Sequence, residues 1–288
     1  MPEAASLPRF TRSYDWDAID RAVQATGGAI AEGFLRREEV SPLNREIDAY
    51  LESHAGSASP TSGSPLYDFF LGHKTLRLHG LIEKIPSSAE LLARAELVAW
   101  AERAMAPTAA SILLNAGELI QIEPGEPAQI FHRDSDSWPV PVGEHPIIVN
   151  ALVALDACTT ENGATTIAPD SWRWETGRQP EPEELARAVM EPGDAVLFRG
   201  DVIHRGGANE SDCPRRLVSI SYCAGWLRPV ENSFLNVSQR TARRLPRPLQ
   251  RILGYSAHDN TANLGGIVGL YENGDPASAL GDGVSVSE

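Results

Sequence analysis

At 288 residues the chain is long enough to bury a full core. It is 42% hydrophobic and 22% charged, as soluble globular proteins are, and its formal net charge of -14 is acidic. That balance argues against nucleic acid or an anionic membrane as partner, because phosphate binding needs clustered Lys and Arg.

Tyr14 to Thr26 has helical character, with Ile19 and Val23 four apart and Gly27-Gly28 as a stop. Gly28 to Phe34 reads as a short strand. Ser41-Pro42 reads as a helix start, and Leu43, Ile47, Tyr50 and Leu51 mark its apolar face. Residues 55 to 65 are small and polar with Pro and Gly, a loop of the length often used as a lid. They lead into Leu66-Tyr67-Asp68-Phe69-Phe70, an aromatic patch that reads either as local core or as the wall of a pocket.

Ser88 to Met105 carries the clearest helical period of the chain. From Ser111 the pattern changes. The segments Ser111 to Glu123, Ala128 to Arg133, Ile147 to Leu155, Ala164 to Ala168, Ala188 to Glu191, Ala195 to Arg199 and Leu217 to Trp226 are short and rich in Ile, Val and Leu. Turn signals such as Glu191-Pro192-Gly193-Asp194 separate them, which predicts a β-sandwich or barrel. Trp172 to Glu184 is a long polar connection. Ser238 to Leu253 turns helical again, and its Arg243, Arg244, Arg247 and Arg251 suit a solvated face. The tail from Asp275 is expected to fray. The predicted architecture is α+β: one domain over residues 1–288, with a helical part to about 110, a jelly-roll (double-stranded β-helix) core over about 111–230 and a C-terminal helical extension over about 231–275.

Cys158, Cys213 and Cys223 fit neither a zinc knuckle nor a disulfide framework and predict a reducing compartment. Met1 to Phe10 lacks the basic start and apolar run of a signal peptide, and no apolar stretch reaches membrane-spanning length. A soluble, cytoplasmic protein is expected.

The chemistry concentrates in Gln129-Ile130-Phe131-His132-Arg133-Asp134. On a strand, side chains at i and i+2 leave from one face, so the His132 imidazole and the Asp134 carboxylate can aim at one point. Alone the pair is a weak signal in a chain with 7 histidines. Two features strengthen it. His204 follows the apolar segment Ala195 to Phe198 and the turn Gly200-Asp201, and completes a 2-His-1-carboxylate set suited to non-haem Fe(II) with three open positions. Arg215 heads the next strand; a guanidinium aimed into a barrel needs an anion, and its planar fork suits a carboxylate. His54, His73, His79, His145 and His258 read as structural or surface residues.

These residues resemble the phytanoyl-CoA dioxygenase family of Fe(II)/2-oxoglutarate oxygenases, in particular its natural-product biosynthesis branch. The match runs through Gln129-x-x-His132-x-Asp134, Glu161-Asn162-Gly163-Ala164-Thr165 before Pro169-Asp170-Ser171, Pro192-Gly193-Asp194, and His204 through Asn209 to Pro214-Arg215-Arg216. Looser matches lie at Phe70-x-Gly72-x-x-Thr75-x-Arg77 and at Leu245-Pro246 through Leu253-Gly254-Tyr255. The resemblance implies that His132, Asp134 and His204 bind iron and that Gln129 contacts the near carboxylate of 2-oxoglutarate. Arg215 with Thr165 would hold the far carboxylate, Arg216 being the competitor for Arg215. Family members often carry a hydroxyl residue two places after the second histidine, where this chain has Gly206.

The resemblance further implies O2 as oxidant and oxygenation rather than halogenation, since Asp134 is present. A small-molecule substrate and a homodimer are the implied partners. Candidate substrate contacts are Tyr67, Arg77, Phe131 and Trp138. The expected reaction is hydroxylation, desaturation or rearrangement of an apolar terpenoid, alkaloid or polyketide. A small amino-acid-like substrate and a non-catalytic cupin-like binder are the alternatives.

Overall fold

A computed structural model describes residues 5–54, 64–258 and 268–281. The elements in chain order are β1 (Arg9–Phe10), α1 (Trp16–Thr26), β2 (Gly28–Ala31), α2 (Arg37–Ser53), α3 (Pro65–Leu71), β3 (Thr75–Leu78), α4 (Leu81–Lys84), α5 (Ser88–Leu92), α6 (Ala95–Met105), β4 (Ile112–Ile122), β5 (Ile148–Ala154), β6 (Thr166–Ile167), β7 (Ala186–Arg187), β8 (Ala195–Arg199), β9 (His204–Arg205), β10 (Arg215–Ala224), α7 (Ser233–Asn236), α8 (Gln239–Ala242) and α9 (Arg247–Ile252). Strands β1-β2-β8-β5-β10-β4-β3 form one sheet and β7-β6-β9 a second; β1 pairs with β2 in parallel, and the other pairs are antiparallel.

The larger sheet is apolar on both faces, and the period of two sorts its residues. Val149, Ala151, Val153, Ala195, Leu197, Val218, Ile220 and Tyr222 point outward into the cluster built with helix residues such as Ile19, Ile47, Leu97 and Trp100. Leu152, Ala154, Val196, Phe198 and Leu217 point inward, toward Ile167, Ala186 and Met190. The inward face therefore carries the site, and the helices brace the outward one. Among the described residues no helix is long and apolar enough to cross a membrane.

Several local expectations needed correction. The helix expected from Ser41-Pro42 begins at Arg37, with Pro42 inside it. Glu39 caps the earlier start by accepting from the Arg36 backbone N–H, which periodicity alone does not reveal. Ser88 to Met105 is two helices broken at Ala93-Arg94, and the Arg94 side chain at the break donates to Glu39 at the start of α2. Ser238 to Leu253 is likewise broken, where Pro246 precedes α9. Ala188 to Glu191 holds only the isolated bridge Cys158–Met190, the paired strand lying earlier at Ala186–Arg187. The expected strand Ala128 to Arg133 is not a strand; it meets β9 through the isolated bridge His132–His204, and the Gln129 N–H donates to the Gly206 carbonyl just after it. Most of the 55 to 65 loop, and the tail beyond residue 281, lie outside the described residues.

Candidate active site

A cavity of about 500 Å³ opens on the inward face of the large sheet, and it is lined from both sheets. Phe70, Ile120, Leu152, Phe198 and Leu217 make much of its wall, and Tyr67, Phe69, Ile130 and Val230 reach it from exposed positions at the rim. The aromatic patch is therefore pocket wall rather than core: α3 buries none of its residues.

His132 and His204 are brought together by their own backbones. Each donates its N–H to the other's carbonyl at 3.0 Å, and the rings lie 4.3 Å apart between centroids. In each ring Nδ1 faces a backbone carbonyl two residues earlier, Ile130 for His132 and Val202 for His204, both at 3.0 Å. A carbonyl only accepts, so Nδ1 carries the proton and Nε2 keeps its lone pair for the site. Asp134 does not sit on a strand with His132. It opens a 3-10 turn, Asp134–Ser137, and the turn brings its carboxylate back. Asp134 Oδ1 is 3.6 Å from His132 Nε2, and Oδ2 is 3.6 Å from His204 Nε2. One ligand atom from each of the three residues falls within 4.8 Å of the others, a spacing that a single metal ion can bridge. Burial, with the His204 imidazole beside it, lowers the His132 pKa to about 4. The ring is therefore uncharged at neutral pH, with Nε2 free of a proton, as a ligand must be.

Arg215 also lines the cavity, from the inward face at the start of β10. It is 1% exposed; Nη2 donates to the Gly163 carbonyl and Nε has no partner. Burial pushes its pKa down, as expected for a cation lacking a counter-anion. Arg216 points the other way and is paired with Gln121, Asn44 and Asp48. The period of two thus separates the two arginines. Thr165 is buried at the cavity wall. Gln129 lines it as well, but both ends of its amide are engaged: Nε2 donates to the Phe70 carbonyl and Oε1 accepts from the Gly206 N–H. A Cβ at Gly206 would stand 3.0 Å from that Oε1, so the absent side chain leaves room for Gln129.

Other expected contacts are distributed differently. Arg77 lines the cavity, paired with Glu118 at 3.0 Å. Phe131 and Trp138 do not line it. The Phe131 ring lies under the Arg205 guanidinium, and Trp138 packs against the small cluster of Ala109, Cys223, Ala224 and Leu227 while its Nε1 donates to the Arg228 carbonyl. Conversely, His73 and His79, expected to be structural or surface residues, reach the cavity, with His79 Nε2 3.6 Å from Glu118. Asn150, which sequence reasoning passed over, donates from Nδ2 to Asp134 Oδ2 at 2.8 Å. Its signal in the sequence is a lone amide inside the apolar run Ile148 to Ala154.

Known proteins resemble this chain in sequence and in fold. The chain is 31% identical to the iron/alpha-ketoglutarate-dependent dioxygenase penM of Penicillium thymicola, over 86% of this chain and 81% of the relative. It is 29% identical to the dioxygenase olcK of Penicillium canescens, over 83% and 80%. The fold is that of SnoN, a non-heme alpha-ketoglutarate-dependent epimerase from nogalamycin biosynthesis, with a TM-score of 0.59 at 21% identity over 73% of this chain and 81% of SnoN. The family model for phytanoyl-CoA dioxygenase (PhyH) matches residues 23–217, which takes in all three clustered side chains and Arg215, and the chain belongs to that family.

Proposed function

We propose that the protein is an Fe(II)- and 2-oxoglutarate-dependent dioxygenase, built as a single domain with a jelly-roll core, that oxidises an apolar natural-product intermediate. The observation that carries the reading is the convergence of His132, Asp134 and His204 in the cavity that also holds the buried, incompletely partnered Arg215. Two neutral imidazoles and one carboxylate are a donor set suited to Fe(II), and they leave three positions open. The unpaired Arg215 Nε argues for an anion in the same cavity. The distal carboxylate of 2-oxoglutarate fits that need, with the Thr165 hydroxyl beside it. Gln129 would release Phe70 and turn its amide to the near carboxylate.

Bound iron and 2-oxoglutarate supply the oxidising power: dioxygen is consumed, 2-oxoglutarate is converted to succinate and carbon dioxide, and the second oxygen atom is available to oxidise the substrate. The chain's own contribution is placement and exclusion of water. Phe70, Leu152, Phe198 and Leu217 offer an apolar wall beside the metal-ligand set. The volume, about 500 Å³, exceeds what 2-oxoglutarate alone would fill and lies within the usual range for small-molecule sites. The nogalamycin biosynthesis in which SnoN works supports a natural-product substrate, and the Penicillium relatives support dioxygenase chemistry. The Arg77–Glu118 pair in the wall favours the second reading, a substrate with a polar, amino-acid-like end. A cytoplasmic homodimer belongs to the same proposal; exposed Leu66, Tyr67 and Phe69 at the rim are apolar surface that a second copy would cover.

The test is succinate formation from 2-oxoglutarate by the purified protein with added Fe(II). Succinate is expected only in the presence of dioxygen, and His132→Ala should lower its rate at least ~100-fold through loss of a metal ligand. A wild-type rate no greater than that of the variant would favour the non-catalytic binder.

A further inference from the structure

Asp134 stands symmetrically between the two imidazoles, with one oxygen 3.6 Å from each Nε2. Nothing in that symmetry decides how many of its oxygens a metal would take. The distinction matters, because a carboxylate binding through both oxygens occupies one of the three positions that 2-oxoglutarate and dioxygen require. The chain breaks the symmetry from behind. Asn150 lies on β5 between Ser221 of β10 and Phe198 of β8, is 2% exposed, and donates from Nδ2 to Asp134 Oδ2 at 2.8 Å.

The surroundings fix both partners of this hydrogen bond. The Asp134 turn is tied down by the Ser135 N–H donating to the Gly200 carbonyl, and the Gly200 N–H donates to the Ile148 carbonyl at the head of β5. A Cβ at Gly200 would lie 2.5 Å from Ile148 Cγ2 and 3.3 Å from Asn150 Nδ2, so a glycine is what lets the turn sit this close to the strand. Phe198, beside Asn150 on β8, packs edge-on against the His204 ring at 4.9 Å. An amide in a strand of otherwise apolar residues costs free energy unless it is hydrogen-bonded, and its partner here is one of the three clustered side chains.

We propose that Asn150 is a positioning residue: its amide occupies Asp134 Oδ2, leaves Oδ1 as the ligand atom and so keeps the third coordination position open. The proposal rests on the oxygenase reading, and the test separates the two. Metal-free protein is titrated with Co(II) alone; Fe(II) and 2-oxoglutarate are then added without oxygen and the visible charge-transfer absorption of a chelated 2-oxo acid is followed. Wild type should bind Co(II) and develop the absorption. Asn150→Leu keeps the shape and removes the donor. It should melt as a folded protein by circular dichroism, bind Co(II) roughly 10- to 100-fold more weakly, as loss of an outer partner to a metal ligand does, and develop the absorption weakly or not at all.

Should the leucine variant fail to fold, Asn150→Ser, too short to reach Oδ2, is expected to give the same loss. A folded variant that titrates like wild type and gives its full absorption overturns the role of Asn150 and leaves the oxygenase reading standing. A wild type that neither binds Co(II) nor gives the absorption overturns both.

Discussion

Among single residues, Arg215 is the side chain whose surroundings most call for a ligand. A cation that is 1% exposed, donating to the Gly163 carbonyl with its Nε left unpaired, calls for an anion at work. Arg215→Lys keeps the charge but loses the planar fork. Hydrogen bonds to charged groups contribute about 1.5–3 kcal/mol, so the KM for 2-oxoglutarate should rise roughly ten- to a hundred-fold while kcat falls less. Steady-state kinetics in 2-oxoglutarate checks this, and an unchanged KM would place the co-substrate carboxylate elsewhere. The clustering of His132, Asp134 and His204, with Arg215 in the same cavity, was legible in their order along the chain. The local reason offered for them was not right. Asp134 reaches the site through a 3-10 turn and the His132–His204 backbone bridge, not through strand alternation. Phe131 shows the same limit: its aromatic character was visible, but its direction, away from the cavity and under Arg205, is set by contacts distant in sequence.

At the scale of elements, Glu39 shows why helix boundaries were misread. Its carboxylate accepts from the Arg36 backbone at the start of α2 and from Arg94 at the break between α5 and α6. One side chain thus anchors an early start and a distant interruption that no local period encodes. Burial alone would raise the Glu39 pKa, but hydrogen bonds from the Arg36 backbone and side chain and from Arg94 prevail and hold it near 2. A carboxylate with a depressed folded pKa stabilises the fold above its unfolded value of 4.5, and that stabilisation is lost as pH falls toward 2. Glu39→Gln should therefore cost at most about 1 kcal/mol at neutral pH, because water screens a partly exposed pair. The gap to wild type should close as pH falls toward 2, as urea unfolding at pH 7 and at acidic pH would record; a gap independent of pH would show that the charge is not the cause. Elements with strong patterns were legible to within a few residues. α1 lies between its Asp15 cap and Gly27, β4, β5 and β8 fall inside the apolar runs predicted for them, and β10 starts two residues before its run, at Arg215.

At the scale of the whole molecule, a large sheet turns one face to a layer of helices and the other to a cavity between two sheets. Composition and strand spacing made that class legible. The cavity itself was not, because His73, His79 and Glu118 reach it from segments whose mutual approach depends on β3 pairing with β4. On the proposed function the cavity seats one metal and one dicarboxylate in fixed relation. Crystals grown anaerobically with Mn(II) and 2-oxoglutarate test it most directly, the metal being located by its anomalous scattering. Mn(II) is expected to be bound by His132 Nε2, His204 Nε2 and a single oxygen of Asp134, with the far carboxylate of 2-oxoglutarate against Arg215. Metal bound away from these three side chains, or 2-oxoglutarate seated with Arg215 still facing only the Gly163 carbonyl, would contradict it.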